Sequence, residues 1–379
     1  MPDILPIALL GQRFMGRAHS NAWRQVVPFF EPALEPRLEM VCAQDLATLE
    51  PFARRFGWRR WSDRWEDAIA DPAVALVDVA TPNDLHAEPA VAALEAGKHV
   101  ACEKPLAHTL DAARAMARAA EASAGRTFVW FNYRRCPAIG LAWRLVREGR
   151  LGAVRHVRAT YLQSWGGEQT PHSWRFRAER AGSGALGDLA AHSVDLARFL
   201  VGEEISEVGG ALERTFVPER ADARGGRAPS DVDDAVLFVA GFAGGATASF
   251  EASRVAPGHL NRNTIELNGE HGSLRFDFEE MNALGLFDAR EDPVTSGWRR
   301  IVATSPHHPW VRAWWPDAHL LGYEHGFVNT AADLLAALAG QEPEVPLADF
   351  ADAYETQRVL AAAQLAARER RAVRLEEVR

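Results

Sequence analysis

Lysine, cysteine and long apolar runs are all scarce in this sequence of 379 residues. Only two of its 42 basic residues are lysines, and no block of basic residues occurs. With a formal net charge of −9, the chain is therefore not expected to bind nucleic acid. Its three cysteines are widely spaced, which indicates reduced, buried thiols rather than a zinc site or a disulfide framework. No apolar run reaches the ~18 residues of a membrane helix, and the N-terminus lacks the features of a signal peptide. We therefore expect a cytoplasmic protein that binds neither a membrane nor a metal ion.

Lys98 and Lys104 are the two lysines of the sequence, and the rarity of lysine suggests that its use at a position is specific. Arginine stays protonated near neutral pH, so it cannot replace lysine where a side chain must exchange a proton. Lys104 follows a predicted strand, at the kind of sheet edge where parallel sheets bind ligands. The alternative is a surface lysine beside a turn, and the scarcity of lysine in this chain argues against it. Lys98 precedes the same strand and is expected to be solvated.

The length of the chain favours two domains, because a single hydrophobic core stops growing below this size. Residues 1–135 alternate strand and helix patterns, which predicts an α/β domain with a parallel, doubly wound sheet. In its short helix 63–70, Asp63 and Glu66 have the spacing of a capping box. Strands are predicted at 4–10, 38–43, 74–80, 99–103 and 127–132, and helices at 15–27, 46–56, 63–70, 84–96 and 110–122.

Residues 136–379 have a different character and predict an α+β domain with a large, open, mostly antiparallel sheet. Glycine-rich turns join neighbouring strand patterns, as in antiparallel pairs. The stretch 221–229 is expected to be a solvated loop, and the Trp-rich stretch 297–318 to be irregular and to precede two C-terminal helices. Strands are predicted at 154–162, 236–240, 246–252, 264–268 and 273–278, and helices at 139–148 and 186–200.

A glycine pattern between the first strand and helix makes residues 11–16 a candidate dinucleotide site. Gly11 permits the tight turn, Gly16 permits close helix packing, and the helix N-terminus binds pyrophosphate. Arg13 stands where the motif has its middle glycine. Its side chain either hinders backbone approach or turns outward to pair with a phosphate. The motif alone fits an ordinary strand-to-helix turn equally well. The predicted turn residues are Gly11, Arg13, Phe14, Met15 and Gly16.

Asp45 lies just past the second strand, where an acidic residue hydrogen-bonds the adenosine ribose and favours NAD over NADP. A helix N-terminal acid explains the same residue equally well.

Three motifs resemble the glucose–fructose oxidoreductase / inositol dehydrogenase / MocA (Gfo/Idh/MocA) family: Glu103-Lys104-Pro105, TPNDLH at 81–86, and GDLAAH at 187–192. Residues 11–23 are similar to a branch that acts on anhydrosugars, inositols and glycosides, and matches at 253–256 and 322–325 extend the resemblance along the chain. The resemblance implies a Rossmann domain, an NAD or NADP cofactor, and a second α/β domain that packs on another subunit in a homodimer or homotetramer.

Oxidising an alcohol needs a base within reach of its hydroxyl. The resemblance implies that Lys104 orients that hydroxyl and makes it more acidic. Asp188 and His192 share one face of the predicted helix, so His192 is the expected proton acceptor, and Asp188 orients it or holds a substrate hydroxyl. A helix-surface ion pair, with Asp195 as a rival partner for His192, explains the same spacing.

Other candidates flank these residues. Asn83 and His86 are expected beside the nicotinamide or its ribose, or at a capped helix start. Aromatic faces and an arginine suit a sugar ring, although tryptophans more often pack in cores. The full cofactor set adds Thr81, Pro82, Asn83, His86, Glu103, Lys104 and Asn132, and the substrate set is Lys104, Trp165, Trp174, Arg175, Asp188 and His192.

The sequence therefore predicts an NAD(P)-dependent oxidoreductase acting on a sugar, anhydrosugar, glycoside or cyclitol by hydride transfer. An NAD-dependent glycosidase that uses transient oxidation is an alternative. A catalytically silent nucleotide-sensing regulator is another, and the presence of Lys104, Asp188 and His192 argues against it.

Overall fold

The computed structural model describes residues 3–378. In this range the strands are β1 (Asp3–Leu10), β2 (Leu34–Cys42), β3 (Arg60–Ser62), β4 (Leu76–Val79), β5 (His99–Cys102), β6 (Thr127–Val129), β7 (Val154–Leu162), β8 (Ile205–Arg214), β9 (Glu219–Ala221), β10 (Arg227–Pro229), β11 (Ala235–Phe242), β12 (Thr247–Ser253), β13 (Arg262–Gly269), β14 (Gly272–Asp277), β15 (Ala283–Asp288), β16 (Arg299–Val302) and β17 (Val373–Arg374). The α-helices are α1 (Phe14–Phe30), α2 (Leu46–Phe56), α3 (Trp65–Ala70), α4 (Ala87–Glu95), α5 (Leu110–Ala122), α6 (Pro137–Arg147), α7 (Ala178–Ala181), α8 (Ala191–Val201), α9 (Tyr323–Leu338) and α10 (Phe350–Glu369).

The chain divides into two compact units. The first consists of the described residues up to Arg135 together with 310–315 and 322–354, so it includes α9. The second consists of 136–309, 316–321 and the described residues from Glu355 onward. The assignment of 1–135 and 136–379 to separate domains stays a prediction.

The first unit contains a six-stranded parallel sheet in the order β3-β2-β1-β4-β5-β6. This confirms the predicted doubly wound α/β fold. The strand order reverses between β1 and β4, and such a reversal creates the crevice where sheets of this kind bind dinucleotides. Leu10, Val79 and Val100 pack with α5 and the start of α10 in the core of this unit.

Two local expectations in the first unit are wrong. Lys98 is buried rather than solvated, because its Nζ donates hydrogen bonds of 2.7 Å to the carbonyl oxygens of Asp71 and Val74. Burial lowers the pKa of this ammonium group. Asp63 does not cap α3. The helix begins at Trp65 with Arg64 at the N-cap, and the Arg64 N–H donates to the Ser62 hydroxyl.

The second unit contains a nine-stranded sheet in the order β16-β15-β14-β13-β7-β12-β11-β8-β17. All its neighbours are antiparallel except β7 and β12, which confirms the predicted open, mostly antiparallel sheet. The stretch 221–229 was expected to be a loop but forms part of the hairpin β9–β10, and the stretch 297–318 contains β16. Both stretches contain strands because a short strand of mixed polarity can pair with a neighbouring strand. Such a strand has no long apolar pattern that would reveal it in the sequence.

Candidate active site

The glycine turn after β1 has the geometry of a nucleotide-binding loop. Gly11 has φ +119°, and a Cβ at this position would overlap the carbonyl oxygen of Ala80. A Cβ on Gly16 would overlap the carbonyl oxygen of Gly11, so α1 approaches β1 closely. Both positions therefore require glycine, as a dinucleotide turn does.

The N-terminus of α1 is open to an anion. Arg13 occupies the N-cap position, its side chain is exposed, and it makes no side-chain hydrogen bond to the first turn of the helix. The exposed position favours the outward alternative over obstruction of the turn. Phe14 is 61% exposed and stacks on Tyr323, with ring centroids 6.1 Å apart, while Met15 is half-buried.

Asp45 lies beside this turn, at the carboxyl end of β2. The Gln12 side chain donates to the Thr48 hydroxyl at 3.1 Å and to the Asp45 carbonyl oxygen at 3.3 Å, so it ties the turn to the start of α2. The Thr48 hydroxyl donates to the Asp45 carboxylate at 2.7 Å and thereby lowers the pKa of that exposed carboxyl. An ionised, exposed carboxylate at this position suits a ribose hydroxyl donor.

The segments after β4 and β5 are joined by His86. Its Nε2 lies 3.0 Å from the Thr81 carbonyl oxygen and its Nδ1 lies 3.1 Å from the Pro105 carbonyl oxygen. The ring is fully buried, which lowers the pKa of His86. His86 therefore holds main chain from both segments. Pro82 and Asn83 belong to the first of them, where Asn83 begins a short 3₁₀ turn.

Lys104 directly follows the buried Glu103 at the end of β5. The Glu103 N–H donates to Val79 on the neighbouring strand at 2.8 Å, and the Glu103 carboxylate accepts from the Lys104 N–H at 3.0 Å. Asn132 is buried just past β6, at the start of another 3₁₀ turn. The predicted cofactor residues thus fall on the turns after five adjacent strands, β2, β1, β4, β5 and β6. This arrangement fits a dinucleotide along the carboxyl edge of the sheet.

In the second unit, Asp188 lies in a π-helical turn, Leu186–Ala190, that precedes α8. The predicted helix 186–200 is present, but its first turn is wider than an α-helical turn. The Asp233 carboxylate anchors that turn by accepting from the Gly184 N–H at 2.6 Å and the Leu186 N–H at 2.8 Å. A Cβ on Gly184 would overlap the Asp233 carbonyl oxygen. Single π-turns of this kind are frequent at functional sites.

Arg254 joins three of the residues predicted to bind substrate. Its Nη2 donates to the Asp188 carboxylate at 3.0 Å, and its Nη1 donates to the Arg175 carbonyl oxygen at 3.3 Å. Its guanidinium carbon lies 5.2 Å from the centroid of the Trp165 ring. Arg254 is 1% exposed, and its Nε has no hydrogen-bond partner in the described part of the chain.

Sequence reasoning did not identify Arg254 as a site residue. The signal was the parallel pairing of β7 with β12, in which Ser253 stands opposite Leu162. The segments after the two strands, with Trp165 and Arg254, therefore leave the sheet at the same edge. Parallel pairing was not predicted in this domain, so the sequence analysis could not place Arg254 beside Trp165.

Around His192 lies a polar and aromatic cluster. His192 is 5% exposed, with its ring centroid 5.9 Å from that of Tyr161. The Tyr161 hydroxyl and the Gln163 amide both donate to the Asn261 side-chain oxygen, at 2.8 and 2.5 Å. Trp165 donates to Gln163 at 2.6 Å, so this cluster continues to the Arg254 cluster. None of Tyr161, Gln163 and Asn261 was predicted.

Next to the Arg254 cluster, the Arg175 guanidinium stacks over the Trp174 ring, 4.6 Å from its centroid. Aromatic faces beside hydrogen-bonding groups suit a ring with many hydroxyls.

Within residues 3–378 there is no group of three or more His, Cys, Asp or Glu side chains that could hold a metal ion. In the same range, no helix is long and apolar enough to cross a membrane. The three cysteines are all buried and unbridged.

Comparison with known proteins gives matches over nearly the whole chain. A model of the oxidoreductase family with an NAD-binding Rossmann fold matches residues 5–131, and a GFO/IDH/MocA C-terminal domain matches residues 141–275. Levoglucosan dehydrogenase of Pseudarthrobacter phenanthrenivorans is 42% identical over 367 residues, which cover 93% of either chain.

Solved structures agree. An oxidoreductase domain protein from Kribbella flavida has a TM-score of 0.94 at 50% identity, covering 99% of this chain and 100% of that one. A levoglucosan dehydrogenase in complex with NADH and levoglucosan has a TM-score of 0.93 at 39% identity, covering 98% and 99% of the two chains.

Proposed function

Because this chain belongs to the GFO/IDH/MocA family of oxidoreductases, whose Rossmann domain binds NAD, we propose that it oxidises a hydroxyl group of an anhydrosugar such as levoglucosan. Related sugars, glycosides and cyclitols make up the wider substrate class. The observation that carries the proposal is the similarity to a levoglucosan dehydrogenase over 93% of both chains. The aromatic and polar cluster around Arg254 and His192 supports it.

In the first unit, we assign the cofactor to the turn at Gly11 and to the segments after β4, β5 and β6. NAD, when bound, accepts the hydride that the substrate carbon loses. Lys104 binds the substrate hydroxyl and helps to remove its proton. Its position after β5, held by the Glu103 carboxylate on the Lys104 N–H, is the support for this role.

In the second unit, we assign the proton acceptor to His192 and a substrate-binding role to Asp188. Asp188 is 26% exposed at its side chain, and its carboxylate is held by Arg254, so it presents a fixed acceptor for a sugar hydroxyl. Trp165, Trp174 and Arg175 provide aromatic and polar contacts to the sugar ring. These roles are residue assignments to be tested by substitution.

We propose that NAD is preferred over NADP, since the ionised Asp45 carboxylate repels a 2′-phosphate and accepts from a free 2′-hydroxyl. The exposed Arg13 is the group that could reverse this preference by binding phosphate. A higher kcat/KM with NADP than with NAD would overturn the preference.

We also propose that the protein is a homodimer or homotetramer and acts in the cytoplasm. The support for self-association is an exposed apolar patch on β8 and β11 of the nine-stranded sheet, where Leu212, Leu237 and Val239 are each at least half exposed.

The deciding experiment is a spectrophotometric screen of NAD and NADP reduction with levoglucosan, inositols, aldoses and glycosides. We expect NADH formation to be fastest, by kcat/KM, with levoglucosan or another anhydrosugar. Release of an aglycone from a glycoside without net NADH would favour the transient-oxidation glycosidase instead. Tight NADH binding with no turnover on any member of the panel would favour the sensing regulator.

A further inference from the structure

A fully buried charged cluster in the first unit is not used by the proposed mechanism. His19 on α1 lies between two carboxylates, with Nδ1 3.1 Å from the Asp78 oxygens and Nε2 3.1 Å from Glu103 Oε1. His19 and Asp78 are 0% exposed and Glu103 is 5% exposed. A buried group of this kind is costly unless every member has a partner.

The partners of Asp78 identify it as an ionised carboxylate. The indole N–H groups of Trp23 and Trp130 donate to its two oxygens at 2.8 and 2.9 Å. Together with His19, three side chains thus supply donors to one carboxyl group, and a carboxylate is the form with acceptors only.

The surroundings of the two His19 ring nitrogens indicate an imidazolium ion. Each ring nitrogen faces a carboxylate oxygen, and a neutral imidazole has only one N–H to donate. The ring also stacks on Trp130 with centroids 4.1 Å apart, an arrangement that stabilises a cation. Burial alone would lower the pKa of His19, but Asp78 and Glu103 outweigh it and raise the pKa to about 9.

The cluster connects two parts of the proposed machinery. His19 lies one turn into α1, the helix that opens at the glycine turn. Glu103 Oε1 faces His19, while Glu103 Oε2 accepts from the Lys104 N–H at 3.0 Å. One carboxylate therefore bridges the buried ring and the main chain of Lys104. In a dry interior, a charge-assisted bridge of this kind is strong and directional.

We propose that His19 is a positioning residue, a permanent buried cation that holds Glu103 against the main chain of Lys104 and so fixes the catalytic lysine relative to the glycine turn that opens α1. The inference rests on the proposed role of Lys104. His19 does not touch substrate, and it acts through Glu103. Asp78, which itself accepts from the two indole N–H groups, holds the ring from its other side.

The test compares His19→Gln with Ser20→Ala. Glutamine keeps a donor toward one carboxylate but has no charge. Ser20 is the next residue on α1, is also buried, and accepts a hydrogen bond of 3.0 Å from Trp58. We expect His19→Gln to lower kcat by ~10- to 100-fold, the scale of a misplaced catalytic group, with the dissociation constant for NADH unchanged. Ser20→Ala is expected to lower Tm and leave kcat unchanged.

A second variant keeps the test decisive if His19→Gln does not fold. Glu103→Gln preserves shape and removes the bridging charge, so we expect a similar loss in kcat. In the double variant the losses should not multiply, because both residues act through one bridge. Multiplying losses, or a His19→Gln variant that differs from wild type only in Tm, would overturn the proposal.

Nitrogen-15 NMR of histidine-labelled holoenzyme gives an independent readout. We expect the His19 ring to carry protons on both nitrogens at pH 7.5, and a neutral tautomer would overturn the proposal. Lys104→Ala distinguishes a failure of the catalytic role of Lys104 from a failure of the positioning role of His19. If it turns over normally, the proposed catalytic role of Lys104 fails, and the positioning role of His19 fails with it, whereas the proposed function itself is decided by the substrate screen. If it is inactive while His19→Gln is fully active, only the positioning role fails.

Discussion

Lys98 and Lys104 lie at opposite ends of β5, and their different surroundings predict a structural role for Lys98 and a catalytic role for Lys104. Lys104 follows the strand with its N–H held by Glu103. If it handles the substrate proton, Lys104→Ala should lower kcat by about 10²- to 10⁴-fold while NADH binding stays intact. Lys104→Arg should be nearly as damaging, since a guanidinium group stays protonated. Steady-state kinetics and NADH fluorescence titration measure the two effects.

Lys98 is the matched control, with the opposite expected result. Its ammonium group satisfies the carbonyl oxygens of Asp71 and Val74. Lys98→Ala should therefore destabilise the fold by about 1–3 kcal/mol, the cost of buried groups left unsatisfied. Its kcat per folded molecule should match that of wild type. A variant with wild-type stability and low kcat would contradict this assignment.

Arg254 and Asp188 should behave as a unit in catalysis. Arg254→Met keeps apolar volume but releases the Asp188 carboxylate, so we expect kcat/KM to fall by about 10²-fold, the scale of a lost charge-assisted contact. The Asp188→Asn variant should show a related loss, and the double variant should be less impaired than the product of the two. Independent, multiplying losses would show that the pair does not position substrate.

At the scale of elements, β8 carries a carboxyl group that should make stability depend on pH. Burial raises the pKa of Glu213 to about 7, and the nearby Asp233 adds to the effect. Between the ordinary carboxyl range and pH 7, the folded chain holds this proton and the unfolded chain does not. Stability contributed by the protonated form is therefore lost as pH rises through that window.

Glu213→Gln removes this dependence. Allowing for the partial exposure of Glu213 to water, we expect the variant to exceed wild type by about 1–2 kcal/mol at pH 8 and to equal it at about pH 4.5. Urea unfolding midpoints at the two pH values measure the difference. Glu207→Gln, an exposed change on the same strand, should have no effect at either pH. An equal shift for both variants would rule out a contribution specific to Glu213.

Some of these elements could be predicted from sequence and others could not. Five of the six parallel strands in the first unit were predicted, because strands buried on both faces have apolar runs such as residues 4–10, whereas the three-residue β3 was missed. By contrast, β8 was not predicted, since its exposed and buried positions mix without a clean alternation. The π-turn at Leu186–Ala190 depends on the Asp233 carboxylate from a distant segment, so local sequence could not reveal it.

At the scale of the whole molecule, the predicted motif residues lie on the expected strand ends, but their partners come from tertiary packing. His19 and Arg254 meet their carboxylate partners only because segments far apart in sequence pack together. Spacing along one helix predicts that Asp188 and His192 share a face, whereas Arg254, which donates to the Asp188 carboxylate, follows β12 and comes from a distant part of the sequence. Charged residues that act through another side chain can therefore be identified only once the order of the strands is known.

The exposed face of the nine-stranded sheet gives the last prediction. Leu237 stands opposite Leu212 on the neighbouring strand, and Val239 lies two residues along on the same face. These side chains are 50%, 57% and 53% exposed, whereas Val236 and Phe238 on the other face are buried. Adjacent apolar side chains on a sheet are an expected contact for a second copy of the chain.

We therefore expect wild-type protein to sediment as a dimer or tetramer at micromolar concentration. The variant Leu237→Lys should shift it toward monomer, since two lysines brought together by a symmetric contact repel and leave ammonium groups without water. Leu260→Lys is the control, because Leu260 is 81% exposed in the loop between β12 and β13. This variant should leave the mass of the oligomer unchanged. Wild-type protein that sediments only as monomer would exclude the assembly. An oligomer that Leu237→Lys leaves intact would place the interface on another surface.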